Sequence, residues 1–323
     1  MARSALSAPH LQDEAAAFAY VEAKLWPNGA VCPHCGETAR VARLNGKTTR
    51  IGLHKCNACK GQFTVRQGSI FESSHLPLHL WLQVIHLMCA SKKGISTRQI
   101  QRMLQCSMKT AWFLGHRIRE AMANDQLGPF GSDGGFVEVD ETFIGRDPDN
   151  RPAQGKRGRS GNMNKVLTAV DRDTGAMRST VIDAVSHREV WPFLAQNIHP
   201  DAVLMTDAHP IYRGLGENFR RHYVVDHSAG EYVRKSDPAI HTNTVEGSFS
   251  IFKRGMRGIY QHCSKKHLHR YTAEFDFRYS NRIAMGVDDT ARASNAIMGF
   301  AGKRLTYQTI SVRRPGHEQR IVW

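Results

Sequence analysis

Residues 136–144 read FVEVDETFI, a stretch in which apolar and polar residues alternate. Alternation with a period of two places Val137 and Val139 on one face of an extended chain, and Glu138 and Asp140 on the other. The pattern predicts a β-strand that packs one face against an apolar core and carries acids on its second face. This strand is the first of a series.

Further strands and helices follow in an order that is typical of one fold class. The predicted strands after the first are 166–170, 177–185, 202–206 and a short one that begins at Val224. The first predicted helix opens with a capping box at 186–189 and runs to about 197, and two more cover 244–257 and 265–282. Strands, then alternating helices and strands, in this order predict an α/β fold, an RNase H-like domain at residues 136–285.

Three carboxylates lie on different elements of this predicted domain. Asp140 is on the polar face of the first strand, Asp207 ends the fourth strand, and Glu246 lies one turn into a helix. Three oxygen donors of this kind suit paired Mg²⁺ or Mn²⁺ ions. Two such ions, about 3.5–4 Å apart, activate an attacking oxygen and stabilise a leaving one in phosphodiester chemistry.

Each of the three acids also has an interpretation without chemistry. Asp207 could simply begin a turn, and Glu246 could be the capping-box partner of Asn243. Asp140 competes with its two acidic neighbours in the strand, and any of the three could be a solvated charge. The order of the elements nevertheless favours a common site.

A lysine accompanies Glu246 on its helix. Glu246 and Lys253 are seven residues apart, so they share one helix face. A metal-binding carboxylate with a cation two turns further on can hold metal and phosphate together. A plain solvated face is the alternative.

Two pairs of cysteines precede this domain. Cys32 and Cys35 form one CxxC motif, and Cys56 and Cys59 form a second. Four thiolates satisfy a tetrahedral Zn²⁺ ion, and each two-residue gap lets one turn direct two sulfurs at one centre. The spacing predicts a zinc ribbon at residues 30–70 with a structural Zn²⁺; a redox CxxC pair is the weaker alternative.

The segment between the cysteine pairs predicts a hairpin. Its strands are expected at 39–44 and 48–53, around the turn formed by Asn45 and Gly46. His34 and His54 could compete as ligands, but four thiols already complete the zinc site. Residues 1–29 are expected to form a helical segment in front of the ribbon.

Residues 71–130 predict a helix-turn-helix. A short helix follows the capping box that begins at Ser96, and Ser107 can cap a longer basic helix. The cations expected to face DNA on that second helix are Lys109, Arg117 and Arg119. A helical hairpin that merely packs is the alternative.

Further cations are expected to contact nucleic acid from the predicted catalytic domain. A long polar loop, residues 145–165, carries three of them, and the helix with Glu246 carries another. These residues are Lys156, Arg157, Arg159 and Arg254.

The charge of the whole chain points in the same direction. It contains 44 lysines and arginines against 29 acidic residues, a formal net charge of +15. This excess favours a polyanionic partner, most simply nucleic acid, although an anionic membrane surface would also attract it. The sequence lacks a run of about 18 apolar residues and a signal-like N-terminus, so we expect a cytoplasmic, nucleoid-associated protein without a membrane span.

Several motifs together resemble bacterial insertion-sequence transposases of the DDE superfamily, and more narrowly the ISXO-like family with an N-terminal zinc ribbon. The matching stretches are CPHC at 32–35, VEVDETFI at 137–144, TD at 206–207, HTNTVEG at 241–247, KRG at 253–255 and HRYTAEFDFRYSNR at 269–282. They cover most of residues 30–285. The resemblance says little about residues 286–323, which we interpret as a basic C-terminal tail.

The resemblance implies a catalytic triad of Asp140, Asp207 and Glu246, with Lys253 as the accompanying contact to DNA. It implies a protein that binds the terminal inverted repeats of its element, cleaves them and joins the 3′ ends to target DNA by transesterification. We expect it to act on double-stranded DNA as a homodimer or a higher oligomer. The alternatives are a non-catalytic DNA-binding regulator derived from a transposase, and a nuclease without strand transfer.

Overall fold

The computed structural model describes residues 4–123, 127–146, 163–303 and 305. The chain divides into two units, each with its own core. The first unit consists of Met1–Ala90, Thr97–Met122 and Ala293–Trp323, and the second of Ser91–Ser96 and Ala123–Arg292. Among the described helices, none combines the length and the apolar character that a bilayer crossing requires.

The first unit begins with a helix and a small antiparallel sheet. Helix α1 (Glu14–Leu25) starts at Asp13, whose side chain accepts a hydrogen bond from the Ala16 backbone N–H at 2.8 Å. The strands are β1 (Val41–Arg43), β2 (His54–Cys56) and β3 (Gln62–Phe63), in that order across the sheet.

The prediction of a second ribbon strand at 48–53 is wrong. The strand that pairs with β1 is β2, with Val41 opposite Cys56, so the connection is a loop longer than the predicted two-residue turn. Gly52 adopts a left-handed conformation (φ 69°) that an extended strand does not allow. A Cβ at this glycine would also lie 2.3 Å from the Phe18 ring, so the loop packs closely on α1.

Three helices complete the described N-terminal part of this unit. They are α2 (Leu78–Ala90), α3 (Thr97–Leu104) and α4 (Met108–Met122). Ser107 caps α4 as predicted, because its Oγ accepts a hydrogen bond from the Thr110 backbone N–H at 3.1 Å. The short helix, the tight turn at left-handed Gln105 (φ 50°) and the longer helix agree with the predicted helix-turn-helix.

The second unit is built on a five-stranded mixed sheet. Its strands are β4 (Phe136–Ile144), β5 (Asn164–Asp171), β6 (Met177–Ile182), β7 (Val203–Asp207) and β8 (Arg221–Val225). They lie in the order β6-β5-β4-β7-β8. The first three strands are antiparallel, and β7 and β8 run parallel to β4. This topology is the predicted RNase H-like α/β fold.

Helices cover the sheet on both faces. They are α5 (His187–Asn197), α6 (Ile211–Leu215), α7 (Asn243–Gly255) and α8 (Lys265–Ser280). On one face, Val137 and Val139 pack with Tyr212 of α6. On the other, Ile144 of β4 packs with Val245 of α7. Strand β4 is therefore central in the sheet and covered on both sides.

The segment interpreted as a C-terminal tail contains a helix, α9 (Asp289–Met298). Beyond it, Phe300 is fully buried and meets the Phe71 ring edge-on, with 5.1 Å between ring centroids. Gly302 donates a backbone hydrogen bond to the Gly68 carbonyl at 2.9 Å. From Ala293 onwards, the described part of this segment therefore belongs to the first unit.

Candidate active site and zinc centre

The four predicted zinc ligands converge on one point. The Cys32 and Cys59 sulfurs are 3.7 Å apart, as are those of Cys35 and Cys56. All four sulfurs lie within 4.8 Å of one another. Zn–S bonds of about 2.3 Å in a tetrahedron require S···S separations of about 3.8 Å, so the residues fit a Zn²⁺ ion. Both of the 3.7 Å contacts join one motif to the other, which favours one shared centre over a redox pair.

Tight turns bring these cysteines together. Gly36 donates a backbone hydrogen bond to the Cys32 carbonyl at 2.9 Å and adopts a left-handed φ of 75°. His54, the suggested competitor, instead directs Nδ1 to the Gly52 carbonyl at 3.1 Å and stacks on Phe63. Among the described residues, the metal-ligand group consists of the four cysteines alone.

The sheet register brings two of the predicted catalytic acids to the same level. In the parallel pair of β4 and β7, Glu138 lies opposite Met205. Two residues further along each strand, this register aligns Asp140 with Asp207, and adjacent strands lie about 4.8 Å apart. Asp207 Oδ1 also accepts a hydrogen bond from the His209 backbone N–H at 3.0 Å. The turn suggested as an alternative role is therefore present and leaves the second oxygen of Asp207 to the acid cluster.

The third acid, Glu246, comes from the first turns of α7. Its Oε1 is 2.9 Å from His227 Nε2 and accepts a hydrogen bond from Thr242 Oγ1 at 3.1 Å. The helix begins after Thr242, so the predicted capping box between Asn243 and Glu246 is not formed. Asn243 is exposed, whereas Glu246 is close enough to Asp140 to act on its pKa.

Asp140 lies in a strongly acidic environment. Burial raises its pKa to about 8, and the negative charges of Glu141, Asp207 and Glu246 add to the effect. The carboxylates repel one another, so a cation between them would be stabilised. The three predicted acids do not belong to the group of ligand atoms that gather within 4.8 Å of one another, which in the described part of the chain consists of the four cysteines.

Lys253 lies near this cluster, on the same helix as Glu246. Burial lowers the pKa of Lys253, and the charge of Arg257 acts in the same direction, whereas the negative charge of Asp140 opposes them. Lys253 is half-buried, so its ammonium group is held near the acids and still reaches the surface.

The two other acids of β4 have partners of their own. Glu141 Oε2 accepts a hydrogen bond from Tyr212 Oη at 2.7 Å on the α6 side of the sheet. Glu138 is completely buried and accepts hydrogen bonds from the backbone at the start of α7. The charges of Asp207 and Glu246 both contribute to the raised pKa of Asp140.

The three cations of α4 that were predicted to face DNA differ in their exposure to solvent. Lys109 is exposed near the start of the helix. Arg117 and Arg119 are buried, with 4% and 2% of their surface exposed, so the prediction that they face DNA is wrong. The Arg117 guanidinium lies over the rings of Trp81 and Phe113, at 5.6 and 5.0 Å from their centroids.

The sequence carries no signal of this burial, because His116, Arg117, Arg119 and Glu120 form an ordinary polar face of a helix. In the structure, α4 is nevertheless enclosed nearly all round from Leu114 to Met122. Exposed cations that were not predicted lie on α3, where Arg98 and Arg102 are four residues apart on one helix face.

The remaining predicted contacts lie elsewhere. Arg254 is exposed and donates hydrogen bonds to the carbonyl and the hydroxyl oxygen of Ser250, at 3.0 and 2.9 Å. Lys156, Arg157 and Arg159 lie outside the described residues.

Comparisons with known proteins agree with this architecture. Residues 134–280 match the ISXO2-like transposase domain, and residues 12–62 match the transposase zinc-ribbon domain. A protein in the transposable element ISH50 of Halobacterium salinarum is 28% identical over 270 residues, which is 78% of this chain and 86% of that protein.

Solved structures with similarity to the chain come from DNA transposition and integration. The piggyBac transposase synaptic complex with hairpin DNA is 12% identical with a TM-score of 0.32, over 67% of this chain and 68% of that one. A pre-cleavage Mos1 transpososome is 12% identical with a TM-score of 0.21, over 57% and 72%. The simian T-cell lymphotropic virus intasome, in complex with a PP2A regulatory subunit, is 16% identical with a TM-score of 0.25, over 47% of this chain and 54% of that one.

The two family matches cover the zinc ribbon and the RNase H-like sheet, and together they span well over half of the chain. The halobacterial relative matches across both parts. The chain therefore belongs to the ISXO2-like transposases and joins a transposase zinc ribbon to a transposase domain.

Proposed function

We propose that this transposase cleaves DNA at the ends of its element and joins the freed 3′ ends to target DNA. What supports the proposal is the proximity of Asp140 on β4 to Asp207 of β7 and Glu246 of α7. Burial of Asp140 raises its pKa to about 8, and the negative charges of Glu141, Asp207 and Glu246 add to this effect. Such a cluster of oxygen donors suits Mg²⁺ or Mn²⁺.

Asp140, Asp207 and Glu246 would hold two divalent ions. Bound there, the ions supply the positive charge that activates an attacking oxygen and stabilises a leaving one. Paired ions of this kind lie about 3.5–4 Å apart.

The reaction proceeds in two displacements at phosphorus. First, water attacks a phosphodiester at the element end and releases a 3′-hydroxyl. That hydroxyl then attacks a phosphodiester of the target, so one bond forms as another breaks. Lys253, held near Asp140, is placed to bind a phosphate oxygen during these steps.

Recognition of the terminal inverted repeats is assigned to the zinc ribbon and the helix-turn-helix. The cations that support this role are Arg98, Arg102 and Lys109, which are exposed on α3 and at the start of α4. Arg254, with Lys156, Arg157 and Arg159, would add contacts to DNA phosphates. We propose that the protein works as a homodimer or higher oligomer on DNA, in the cytoplasm at the nucleoid.

Replacement of each acid tests the proposal. Asp140→Ala, Asp207→Ala and Glu246→Ala should each reduce Mg²⁺-dependent nicking and strand transfer of a labelled terminal-repeat duplex by orders of magnitude. Binding of the same duplex should be nearly unchanged, because basic groups make the contacts. Asn243→Ala is the matched control on α7 and should remain active.

The outcomes separate the alternatives. Three active acid variants would remove the enzymatic proposal and favour a DNA-binding regulator. An inactive Asn243→Ala beside an active Glu246→Ala would move the third ligand to Asn243. Nicking without joining in the unmodified protein would indicate a nuclease.

A further inference from the structure

Glu138 is a carboxylate with no exposed surface in the central strand of the sheet. It lies two residues before Asp140, so both side chains project from the same face of β4 towards α7. Burial of a carboxylate costs several kcal/mol unless hydrogen bonds and opposite charge compensate. The partners of Glu138 therefore indicate what its burial achieves.

Two of these partners belong to the first turn of α7. Glu138 Oε2 accepts hydrogen bonds from the backbone N–H groups of Thr244 and Val245, both at 2.8 Å. The N-cap residue, Thr242, makes no side-chain capping hydrogen bond. Glu138 thus supplies from the sheet the capping that a helix N-terminus normally obtains from its own N-cap, and its negative charge suits this end of the helix.

A further partner, Arg172, links Glu138 to the segment that precedes α7. Its Nε donates to Glu138 Oε1, and His241 Nδ1 is 3.3 Å from that same oxygen. The guanidinium also donates to the carbonyls of Ala239 and His241, at 2.5 and 2.6 Å. The residues before and after the start of α7 are therefore both fixed to one carboxylate of β4.

This anchor lies between two of the proposed metal ligands. Asp140 follows Glu138 by two residues on β4, and Glu246 follows Val245 directly on α7. We propose that Glu138 is a positioning residue, which sets the separation of Asp140 and Glu246 by clamping the start of α7 to β4. The proposal rests on the function proposed above, and it adds a requirement for the length of the side chain at position 138.

Length and charge can be separated by two conservative variants. Glu138→Gln keeps the length and an oxygen that can accept from Thr244 and Val245, but it loses the charge. Glu138→Asp keeps the charge but is one methylene shorter, so it either loses these hydrogen bonds or pulls α7 towards β4. If Glu138 acts by position, the Gln variant should stay closer to the unmodified protein than the Asp variant.

The experiment measures binding of Mn²⁺ to the zinc-loaded full-length chain by calorimetry, together with the Mg²⁺ concentration that half-saturates nicking. We expect Glu138→Asp and Glu138→Ala to lower the Mn²⁺ affinity and to raise the half-saturating Mg²⁺ concentration by about 10–100-fold, as happens when a residue that orients a metal ligand is lost. Glu138→Gln should change each quantity by less than about tenfold. The affinity for the terminal-repeat duplex should stay unchanged in all three.

Asp276→Asn provides the matched control. Asp276 also joins a helix to the sheet, because it accepts hydrogen bonds from the backbone N–H and the hydroxyl of Ser179, at 2.8 and 2.6 Å. It lies on α8 and binds β6, and Thr168 of β5, which pairs with both Asp140 and Ser179, separates it from the proposed ligands across the sheet. The control should keep its metal affinity.

Three results would overturn the inference. They are unchanged metal affinity in Glu138→Asp and Glu138→Ala, better affinity in the Asp than in the Gln variant, and an equal loss in Asp276→Asn. If the Ala variant does not fold, the comparison of Gln with Asp decides alone. Absence of Mn²⁺ binding in the unmodified zinc-loaded chain would instead refute the proposed function itself.

Discussion

The protonation state of Asp140 couples cation binding to pH. With a pKa of about 8, its carboxyl group is mostly neutral at pH 7 when no cation is bound. A divalent ion favours the ionised form and therefore displaces a proton on binding. Affinity for Mg²⁺ or Mn²⁺ should accordingly rise as the pH increases towards 8.

The same shift predicts how stability depends on pH. The pKa of Asp140 is raised from 3.8 to about 8 by folding, so the folded chain holds a proton that the unfolded chain releases. The contribution of Asp140 to the free energy of unfolding is therefore full below pH 3.8 and is lost as the pH rises to about 8. The variant Asp140→Asn does not undergo this loss, because its side chain does not ionise. Without added divalent ions, the variant should melt higher than the unmodified protein at pH 8.5, by about 2–4 °C for each kcal/mol gained.

Thermal melts at several pH values, with the zinc retained, check this prediction. The difference in melting temperature should shrink towards pH 5, where Asp140 is neutral in the folded state. Added Mg²⁺ should stabilise the unmodified protein and not the variant. A constant difference between pH 5 and pH 8.5 would contradict the assigned shift.

At the scale of elements, the zinc ribbon depends on its metal. Its three strands have only three, three and two residues, and their core consists of Cys32, Cys56 and Phe63 with a few partly buried neighbours. A sheet this small does not bury enough surface to fold by itself. The ion is therefore part of the core.

We expect Cys56→Ser to abolish stoichiometric zinc and to unfold the ribbon, while the transposase domain keeps its melting transition. The reason is that three thiolates leave the tetrahedral site incomplete. Zinc content by metal analysis and calorimetric melting measure the two effects. Cys106→Ser, which alters a cysteine outside the cluster, should retain one zinc per chain.

Periodicity in the sequence was sufficient to predict most strands and helices, but it did not predict what packs against their faces. Alternation at 136–144 predicted β4 with its bounds, because a half-apolar strand has few other solutions. The same alternation made Glu138 look solvated, although α7 covers that face. A sequence pattern shows which residues share a face and not what packs on it.

The other errors have the same origin. Arg117 and Arg119 lie on a helix with the composition of a DNA-binding helix, yet both side chains are buried. The ribbon hairpin was misplaced because Asn45 and Gly46 form a strong local turn signal, whereas zinc geometry places Cys56 opposite Val41. Long-range packing overrode local preference in each case.

At the scale of the whole molecule, a net charge of +15 should make DNA binding steeply dependent on salt. Arg98→Ala, Arg102→Ala and Lys109→Ala should each lower affinity and reduce the slope of log affinity against log salt by about 1, if each cation contacts one phosphate. Titrations of the terminal-repeat duplex at several salt concentrations measure this slope.

Arg117→Ala is the contrasting variant on the same helix as Lys109. It removes the guanidinium that lies over Trp81 and Phe113, so it should lower the melting temperature and leave the salt slope unchanged. A reduced slope in this variant together with unchanged slopes at Arg98, Arg102 and Lys109 would place the DNA surface elsewhere.

The return of residues 293–303 to the first unit affects the order in which the protein can be completed during translation. The Phe300 ring packs on Phe71, and the backbone of Gly302 is hydrogen-bonded to Gly68, so the unit that starts first lacks these contacts until residues 293–303 have been synthesised. The whole transposase domain is translated in between. A ribosome that stops before residue 293 would therefore release a chain in which the five-stranded sheet is present and the first unit is unfinished.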